Sequence, residues 1–210
     1  TDDQAASVWN LLSEAKHEVI VAVIDSGLAY LHSDLKLENV WRNGKEVPNG
    51  RDDDRNGYVD DLIGWNFVNN NNEPRDDVGH GTHVSGIIAA ATDNGEGIAG
   101  MNPRVKIMPL KILDARGRGD STGVAEAIFY AVRHGARVIN LSLGGERVSK
   151  TEQLAISYAL RKGVVVVVAA DSAGRKMGDY PSGELRDVIT VAATDQSDKR
   201  ARFSGWGQGI

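Results

Sequence analysis

The segment HGTHVSGIIAAA, residues 80–91, predicts a loop that turns directly into a helix with a histidine at its entry. Its small residues leave one slim face, and since a glycine in a helix costs about 1 kcal/mol relative to alanine, a second backbone is expected to pack closely there. The positive end of the helix dipole disfavours a protonated imidazole at His80. A neutral imidazole is a good general base near neutral pH. We therefore predict that His80 is a base whose partners lie elsewhere in the chain.

Length and composition are those of a globular protein. With 210 residues, 41% hydrophobic and 25% charged, the chain is most economically one domain, residues 1–210. The formal net charge of −5 gives no reason to expect nucleic acid or an anionic membrane as a partner. The sequence has no cysteine, which excludes a thiol nucleophile and fits a secreted or extracytoplasmic protein. The first residues do not have the pattern of a signal peptide, which is therefore absent or already removed.

Apolar runs alternate with helical segments, which is the pattern of a parallel sheet with crossover helices. The sequence predicts strands at 19–24, 105–112, 138–141, 164–169 and 188–193, and helices at 80–91, 121–134 and 151–162. Pro109, in the second strand, indicates an edge or irregular position. The polar stretch 36–78 is too long for a simple connection and is more typical of a functional segment. The fold class is therefore α/β with a mostly parallel central sheet.

Asp25 follows the first apolar strand, at the sheet edge where open α/β folds gather their active sites. An aspartate there could equally cap a turn. The spacing of His80 and His83 is also compatible with half of a metal site, but no third ligand stands at a recognisable spacing. Asp25 and His80 are therefore the leading candidates for chemistry, without a metal.

Two motifs resemble the Asp and His blocks of the subtilisin-like serine proteases, the subtilases or peptidase S8 family: VAVIDSG at 21–27 and HGTHVSG at 80–86. Further blocks follow in the family's order, namely HSDL at 32–35, GWNF at 64–67, VINLSLGG at 138–145 and FSGWG at 203–207. The resemblance runs from about Trp9 to Gly207. It implies a three-layer subtilisin-like fold, incomplete at its C-terminal end, and peptide hydrolysis by an Asp–His–Ser triad.

The resemblance also implies a role for each matching segment. Asp25 would orient and stabilise the imidazole, and His80 would take the proton from a serine. The pocket for the residue before the scissile bond would be lined by Ser142, Leu143 and Gly144. The edge strand that pairs with an extended peptide or protein substrate would contain Gly117, Arg118 and Gly119.

The chain departs from the family pattern at two places. The family's nucleophile lies in a Gly-Thr-Ser-Met-Ala block, and none of the 210 residues belongs to such a block. Where the family reads Ala-Ala-Gly-Asn, this chain places Ser172 at the oxyanion Asn position, or Asp171 after a one-residue shift. In subtilisin itself, losing that donor costs about 10²–10³ in turnover. We therefore expect the chain alone to be inactive, and its partner to be a C-terminal segment or second chain that carries the Ser block and packs on the slim face of the 80–91 helix.

An acidic loop, DDDRNGYVDD at 52–61, places oxygen ligands at alternating positions around a glycine, as in calcium loops. The candidate ligands are Asp52, Asp54, Asn56, the Tyr58 carbonyl, Asp60 and, by a different geometry, Asp61. Ile63 stands where a helix-loop-helix calcium loop has its bidentate Glu. Because similar loops occur in subtilases, many of which bind calcium, calcium is the expected cofactor; the alternative is a solvated loop held by Asx turns. A second candidate is residues 93–97.

Three functional hypotheses follow. The chain is the N-terminal part of a secreted serine endopeptidase, a degenerate homologue acting as a peptide-binding or regulatory module, or a structural domain of a larger assembly. Retention of Asp25 with His80 favours the endopeptidase, because a binding protein has no chemical need for that pair. The altered oxyanion position favours the degenerate homologue.

Overall fold

One parallel sheet organises the chain. The computed structural model describes residues 18–144, 149–170, 172–176, 187–207 and 210. Within these ranges the sheet has six strands in the order β2-β3-β1-β4-β5-β6, and every neighbouring pair is parallel. The strands are β1 (Ile20–Asp25), β2 (Trp65–Asn66), β3 (Lys106–Lys111), β4 (Val138–Leu141), β5 (Val165–Ala169) and β6 (Ile189–Val191). The predicted α/β class is confirmed.

Three α-helices lie in the described residues: α1 (His80–Ala89), α2 (Ser121–Arg133) and α3 (Lys150–Arg161), with a 3-10 turn at Leu37–Asn39. Side-chain caps explain where the second and third begin. The Asp120 carboxylate accepts the N–H groups of Thr122 and Gly123 at the start of α2. At α3, Ser149 and Glu152 form a capping box. None of these helices is long and apolar enough to cross a membrane.

The hydrophobic core lies on both faces of the sheet. Along β1, Ala22 and Ile24 belong to the larger cluster, which includes residues of α2 and α3. Val21 and Val23 belong to the smaller cluster, which includes Ala89 of α1. Since successive strand residues face opposite sides, both faces of β1 are buried, and its sequence is continuously apolar for that reason. The layers are therefore helix, sheet and helix.

Pro109 does not lie at the sheet edge, so the edge expectation was wrong: β2 lies outside β3. The N–H groups of Lys106 and Ile112 donate to β1 and its flanking residues, at Val19 and Asp25. By alternation, the nitrogen of Pro109 faces the β2 side, where the pairing begins only at Leu110. The missing donor therefore falls beside a gap in the ladder, and the strand tolerates proline there.

Candidate active site

Asp25 and His80 form a hydrogen-bonded pair at the carboxyl end of the sheet. Asp25, the last residue of β1, is fully buried. The His80 Nδ1 atom lies 2.7 Å from its Oδ1 and 2.9 Å from its Oδ2. A carboxylate only accepts, so Nδ1 carries a proton, and in the neutral form of the ring the lone pair is then on Nε2. The His80 side chain is 48% exposed, which lets another group reach that lone pair.

The pair is close because glycine lets α1 approach β1. A Cβ on Gly81 would overlap the carbonyl oxygen of Gly27 and lie 3.2 Å from the Cβ of Asp25. We expected a second backbone to pack against the slim face of α1. At Gly81 that backbone is the turn after β1. At the end of the helix, Gly100 packs on the backbone of Ala89 and Ala90, which a Cβ on Gly100 would overlap. At these positions the expectation that the face awaits a segment outside the chain was wrong, because the chain itself fills the space.

Asp76 joins the turn after β1 to the start of α1. The Ser26 hydroxyl donates to Asp76 Oδ1 at 2.8 Å and accepts the N–H of Gly81 at 2.8 Å. The N–H and the hydroxyl of Thr82 donate to Asp76 Oδ2 at 2.9 and 2.5 Å. These bonds satisfy N–H groups in the first turn of a helix whose N-cap, Gly79, has no side chain. No sequence motif identifies Asp76; its only signal is that it is an acidic residue shortly before a helix.

Hydrogen bonding sets the ionisation of Asp76. Burial disfavours the charged carboxylate, but donors at Thr82, Gly79 and Val78 outweigh it and lower the pKa of Asp76 from 3.8 to about 2. A carboxyl group whose pKa is lowered in the folded protein stabilises the fold at pH values above its ordinary pKa. That stabilisation is lost as the pH falls towards the lowered pKa. Acidification from about pH 4 to about pH 2 should therefore weaken the attachment of α1.

We expect Asp76→Asn to be less stable than wild type at neutral pH, and the difference in free energy of unfolding to shrink by about 1 kcal/mol between pH 4 and pH 2. This figure is smaller than the pKa shift alone would give, because Asp76 is partly exposed and solvent screens its interactions. Urea unfolding at a series of pH values measures the difference. Glu38→Gln, at an exposed position, is the control. A difference between wild type and Asp76→Asn that stays constant with pH would contradict the prediction.

Lys111, at the end of β3, also contacts the turn after β1. Its side chain is 2% exposed, and Nζ lies 2.7 Å from a carboxylate oxygen of Asp77. Nζ also donates to the carbonyl oxygens of Ser26 and Leu113, at 2.8 and 2.7 Å. All three ammonium protons therefore have acceptors, so this buried charge links the turn after β1 to the segment before α1.

Of the predicted substrate residues after β4, Ser142 lines a cavity. Asn140, Ser142, Ala169 and Ser172 are among the residues that line this cavity of about 320 Å³ at the carboxyl end of the sheet. Leu143 packs against the larger core cluster, and Gly144 has open space at the position of a Cβ. Ser142 and Ser172 are thus brought together. Asp171, the other oxyanion candidate, lies outside the described residues.

The stretch of Gly117, Arg118 and Gly119 is a turn, not the strand that the resemblance implied. The Asp114 carboxylate accepts the N–H groups of Arg116 and Arg118 at 2.9 Å each, and the Asp114 N–H donates to the Arg118 carbonyl. These local bonds close the turn and occupy the Arg118 N–H that a pairing strand would offer to a peptide.

The acidic loop gathers three carboxylates, one of which the sequence analysis missed. Oxygen atoms of Glu46, Asp52 and Asp54 lie within 4.8 Å of one another. Glu46 precedes the loop motif and is buried; its two oxygens accept the N–H groups of Asp54 and Asp60 at 2.9 and 3.1 Å. The sequence signal for Glu46 is its place shortly before the acidic loop. That loop lacks the glutamate with which a helix-loop-helix calcium loop ends.

Asp60 and Asp61 lie outside that cluster. The Asp60 carboxylate accepts the N–H groups of Asn49 and Gly50, at 3.0 and 2.8 Å. Asp61 is fully buried and accepts the Tyr130 hydroxyl at 2.6 Å. The amides of Asn43 and Asn56 also donate to Asp61, at 2.9 Å each. Burial, together with the charge of Asp61, raises the pKa of Tyr130. Asp61 therefore anchors the loop to α2.

The second calcium candidate, residues 93–97, folds around Asp34. The N–H of Ile98 donates to Asp34 Oδ2 at 2.9 Å, and the Asn94 amide donates to Oδ1 at 2.8 Å. These two bonds hold the pKa of Asp34 below its usual value. Gly97, with φ +52°, passes so close that a Cβ would overlap the carboxylate.

A family model described as the subtilase family, peptidase S8, matches residues 16–210. The chain belongs to the subtilase family. This subtilase is 39% identical to thermitase of Thermoactinomyces vulgaris over 204 residues, which cover 97% of the chain and 64% of thermitase. It is 41% identical to a thermophilic serine proteinase of Bacillus sp. strain AK1, covering 89% of the chain and 41% of the relative.

Two further comparisons agree. The cell wall-associated protease of Bacillus subtilis strain 168 is 40% identical over 95% of the chain and 20% of its own length. The crystal structure of a cold adapted subtilisin-like serine proteinase superposes with a TM-score of 0.71 at 27% identity, covering 91% of this chain and 60% of that one. The subtilase chain therefore spans less than two-thirds of each of these relatives.

Proposed function

We propose that this chain supplies the acid–base half of a subtilisin-like serine endopeptidase. The observation that carries the proposal is the 2.7 Å contact between His80 Nδ1 and the buried carboxylate of Asp25. It orients the ring with Nε2 as the acceptor. That nitrogen takes the proton of a serine hydroxyl as the serine attacks a peptide carbonyl, and then gives it to the leaving amine. Asp25 stabilises the imidazolium in between.

The substrate is proposed to be an extended peptide or protein. Ser142, Leu143 and Gly144 follow β4, and Ser142 lines the cavity of about 320 Å³. That cavity would take the side chain before the scissile bond. Ser172 lines the same cavity, and its hydroxyl can donate to a developing oxyanion in place of an amide.

The 210 residues alone are proposed to be inactive, because none of them lies in a Gly-Thr-Ser-Met-Ala block. The nucleophile would then come from a further segment of the same protein or from a second chain. The second candidate function is a catalytically degenerate homologue that binds peptides or regulates another protein. The change at the oxyanion position favours it.

The coding sequence beyond Ile210 discriminates between these two functions. An in-frame Gly-Thr-Ser block supports the endopeptidase, and a stop codon with no Ser block supplied by another chain supports the degenerate homologue. A secreted or extracytoplasmic location is proposed for either, since the chain has no cysteine and one relative is named as cell wall-associated.

Calcium is the proposed cofactor, at Glu46, Asp52 and Asp54. The donor set fits, because three carboxylates converge within 4.8 Å and calcium prefers oxygen ligands. Asn56 and the Tyr58 carbonyl remain candidate ligands from the same loop. Calcium bound there would neutralise the carboxylates and stabilise the loop against unfolding. The loop at 93–97 is a weaker candidate, because among the described residues the three carboxylates that converge are those of Glu46, Asp52 and Asp54.

We expect saturating calcium to raise the melting temperature by about 5–10 °C over chelator, which corresponds to about 2.7 kcal/mol at a hundredfold excess over Kd. Glu46→Gln should lose most of this rise, because it removes one of three charges from the cluster. Glu73→Gln, an exposed position in the same polar stretch, should keep it. Melting with calcium and with chelator is the measurement. An equal rise in all three proteins, or none in wild type, would count against the site.

A further inference from the structure

We infer that Asp76 is a positioning residue for the Asp25–His80 pair and acts through the hydroxyl of Ser26. The inference rests on the proposed function of that pair. Asp25 and His80 belong to different elements, 55 residues apart in sequence. The geometry of their hydrogen bond therefore depends on how the turn after β1 is fixed to the first turn of α1.

Ser26 is the residue that makes this connection. Its N–H donates to Asp25 Oδ1 at 2.7 Å, so it holds the carboxylate that faces the imidazole. Its hydroxyl oxygen accepts the N–H of Gly81, the residue after His80, at 2.8 Å. One residue thus contacts the acid and the backbone beside the base. The relative position of Asp25 and His80 follows from the orientation of this hydroxyl.

Asp76 sets that orientation. The Ser26 hydroxyl has one proton, and it donates that proton to Asp76 Oδ1 at 2.8 Å, which leaves a lone pair directed at the Gly81 N–H. Asp76 is itself fixed by four further donors, the N–H groups of Val78, Gly79 and Thr82 and the hydroxyl of Thr82. Only an acceptor with several free lone pairs can receive all five, which suits an ionised carboxylate.

A second set of contacts, made by Lys111, also joins this segment to Ser26. The buried Lys111 Nζ donates to the Ser26 carbonyl and to Asp77, the neighbour of Asp76. The Asp76–Asp77 segment therefore reaches Ser26 at its hydroxyl directly and at its carbonyl through Lys111. A segment that served only to cap α1 would need the bonds to Thr82 but not these contacts with Ser26.

The test follows the Nδ1 proton of His80 by NMR in the 210-residue chain, and no enzyme activity is needed. We expect Asp76→Ala and Ser26→Ala to speed its exchange with solvent about tenfold, since each releases the hydroxyl bridge between the two elements. Asp120→Ala is the matched control: it removes the side-chain cap of α2, which lies on another helix, and should leave the exchange rate within twofold of wild type.

The outcomes separate the two proposals. Unchanged exchange in Ser26→Ala, or equal acceleration in Asp120→Ala, would overturn the role of Asp76 and leave the proposed function intact. Absence of a protected Nδ1 proton in the folded wild type would contradict the Asp25–His80 pair itself. If Asp76→Ala does not fold, Ser26→Ala decides, because it leaves the bonds between Asp76 and Thr82 in place.

Discussion

Replacing His80 by alanine is expected to lower kcat about 10⁶-fold in a protein that carries this chain together with its Ser segment. The imidazole is the base that takes the serine proton and the acid that protonates the leaving amine, so its loss disables both steps. The figure is that found for subtilisin itself, in which losing the aspartate costs less, about 10⁴. Asp25→Ala should accordingly retain more activity than His80→Ala. Hydrolysis of a fluorogenic peptide under saturating conditions measures both.

His83→Ala is the control for that experiment. His83 lies on the same helix and is exposed, so its loss should leave kcat within a few-fold of wild type. The same variant tests the rejected alternative in which His80 and His83 share a metal, since both substitutions would then have similar effects. Activity that survives in His80→Ala would contradict the proposed role of the imidazole.

Gly81→Ala is expected to destabilise the fold by about 3 kcal/mol, because the added Cβ would overlap the Gly27 carbonyl oxygen. The overlapped atom is backbone in the turn after β1, so relief requires α1 to move away from the sheet. We therefore expect the melting temperature to fall by about 6–12 °C. The Asp25–His80 hydrogen bond should lengthen at the same time, which would reduce activity in a complete enzyme beyond the loss of folded protein.

Gly44→Ala is the matched control, since a Cβ at Gly44 has no heavy atom within 4 Å and its φ is not positive. It should leave the melting temperature within about 2 °C of wild type. Thermal unfolding followed by circular dichroism compares the two variants. Equal melting of Gly81→Ala and wild type would show that the close contact between α1 and the turn does not constrain the fold.

The helices and every strand except β2 were predictable, because their signals are local. The continuous apolar run before Asp25 marked a strand buried on both faces, and β1 occupies it. The helices predicted at 121–134 and 151–162 correspond to α2 and α3, and the structure shows that Asp120 and Ser149 cap them. The Asp25–His80 pair followed from resemblance to two family blocks, since nothing local shows that residues 55 apart will meet.

The residues that the sequence analysis missed lie outside the motifs that they support. Asp76 works through Ser26, which precedes it by 50 residues, and Glu46 joins the acidic loop from outside its motif. The stretch after Asp114 was expected to be a strand, but that side chain closes it into a turn. In each case a side chain that bonds to backbone or to a distant hydroxyl decides the structure, and such bonds leave no periodic pattern in the sequence.

An active-site fluorophosphonate probe tests whether the chain that holds the Asp25–His80 pair also contains a serine that the pair activates. The probe forms a covalent bond only with a serine that a neighbouring base has activated. The folded 210-residue chain is predicted to remain unlabelled, as judged by intact mass. Stoichiometric labelling of one serine in this chain, abolished by His80→Ala, would show that a nucleophile is present after all and would contradict the account.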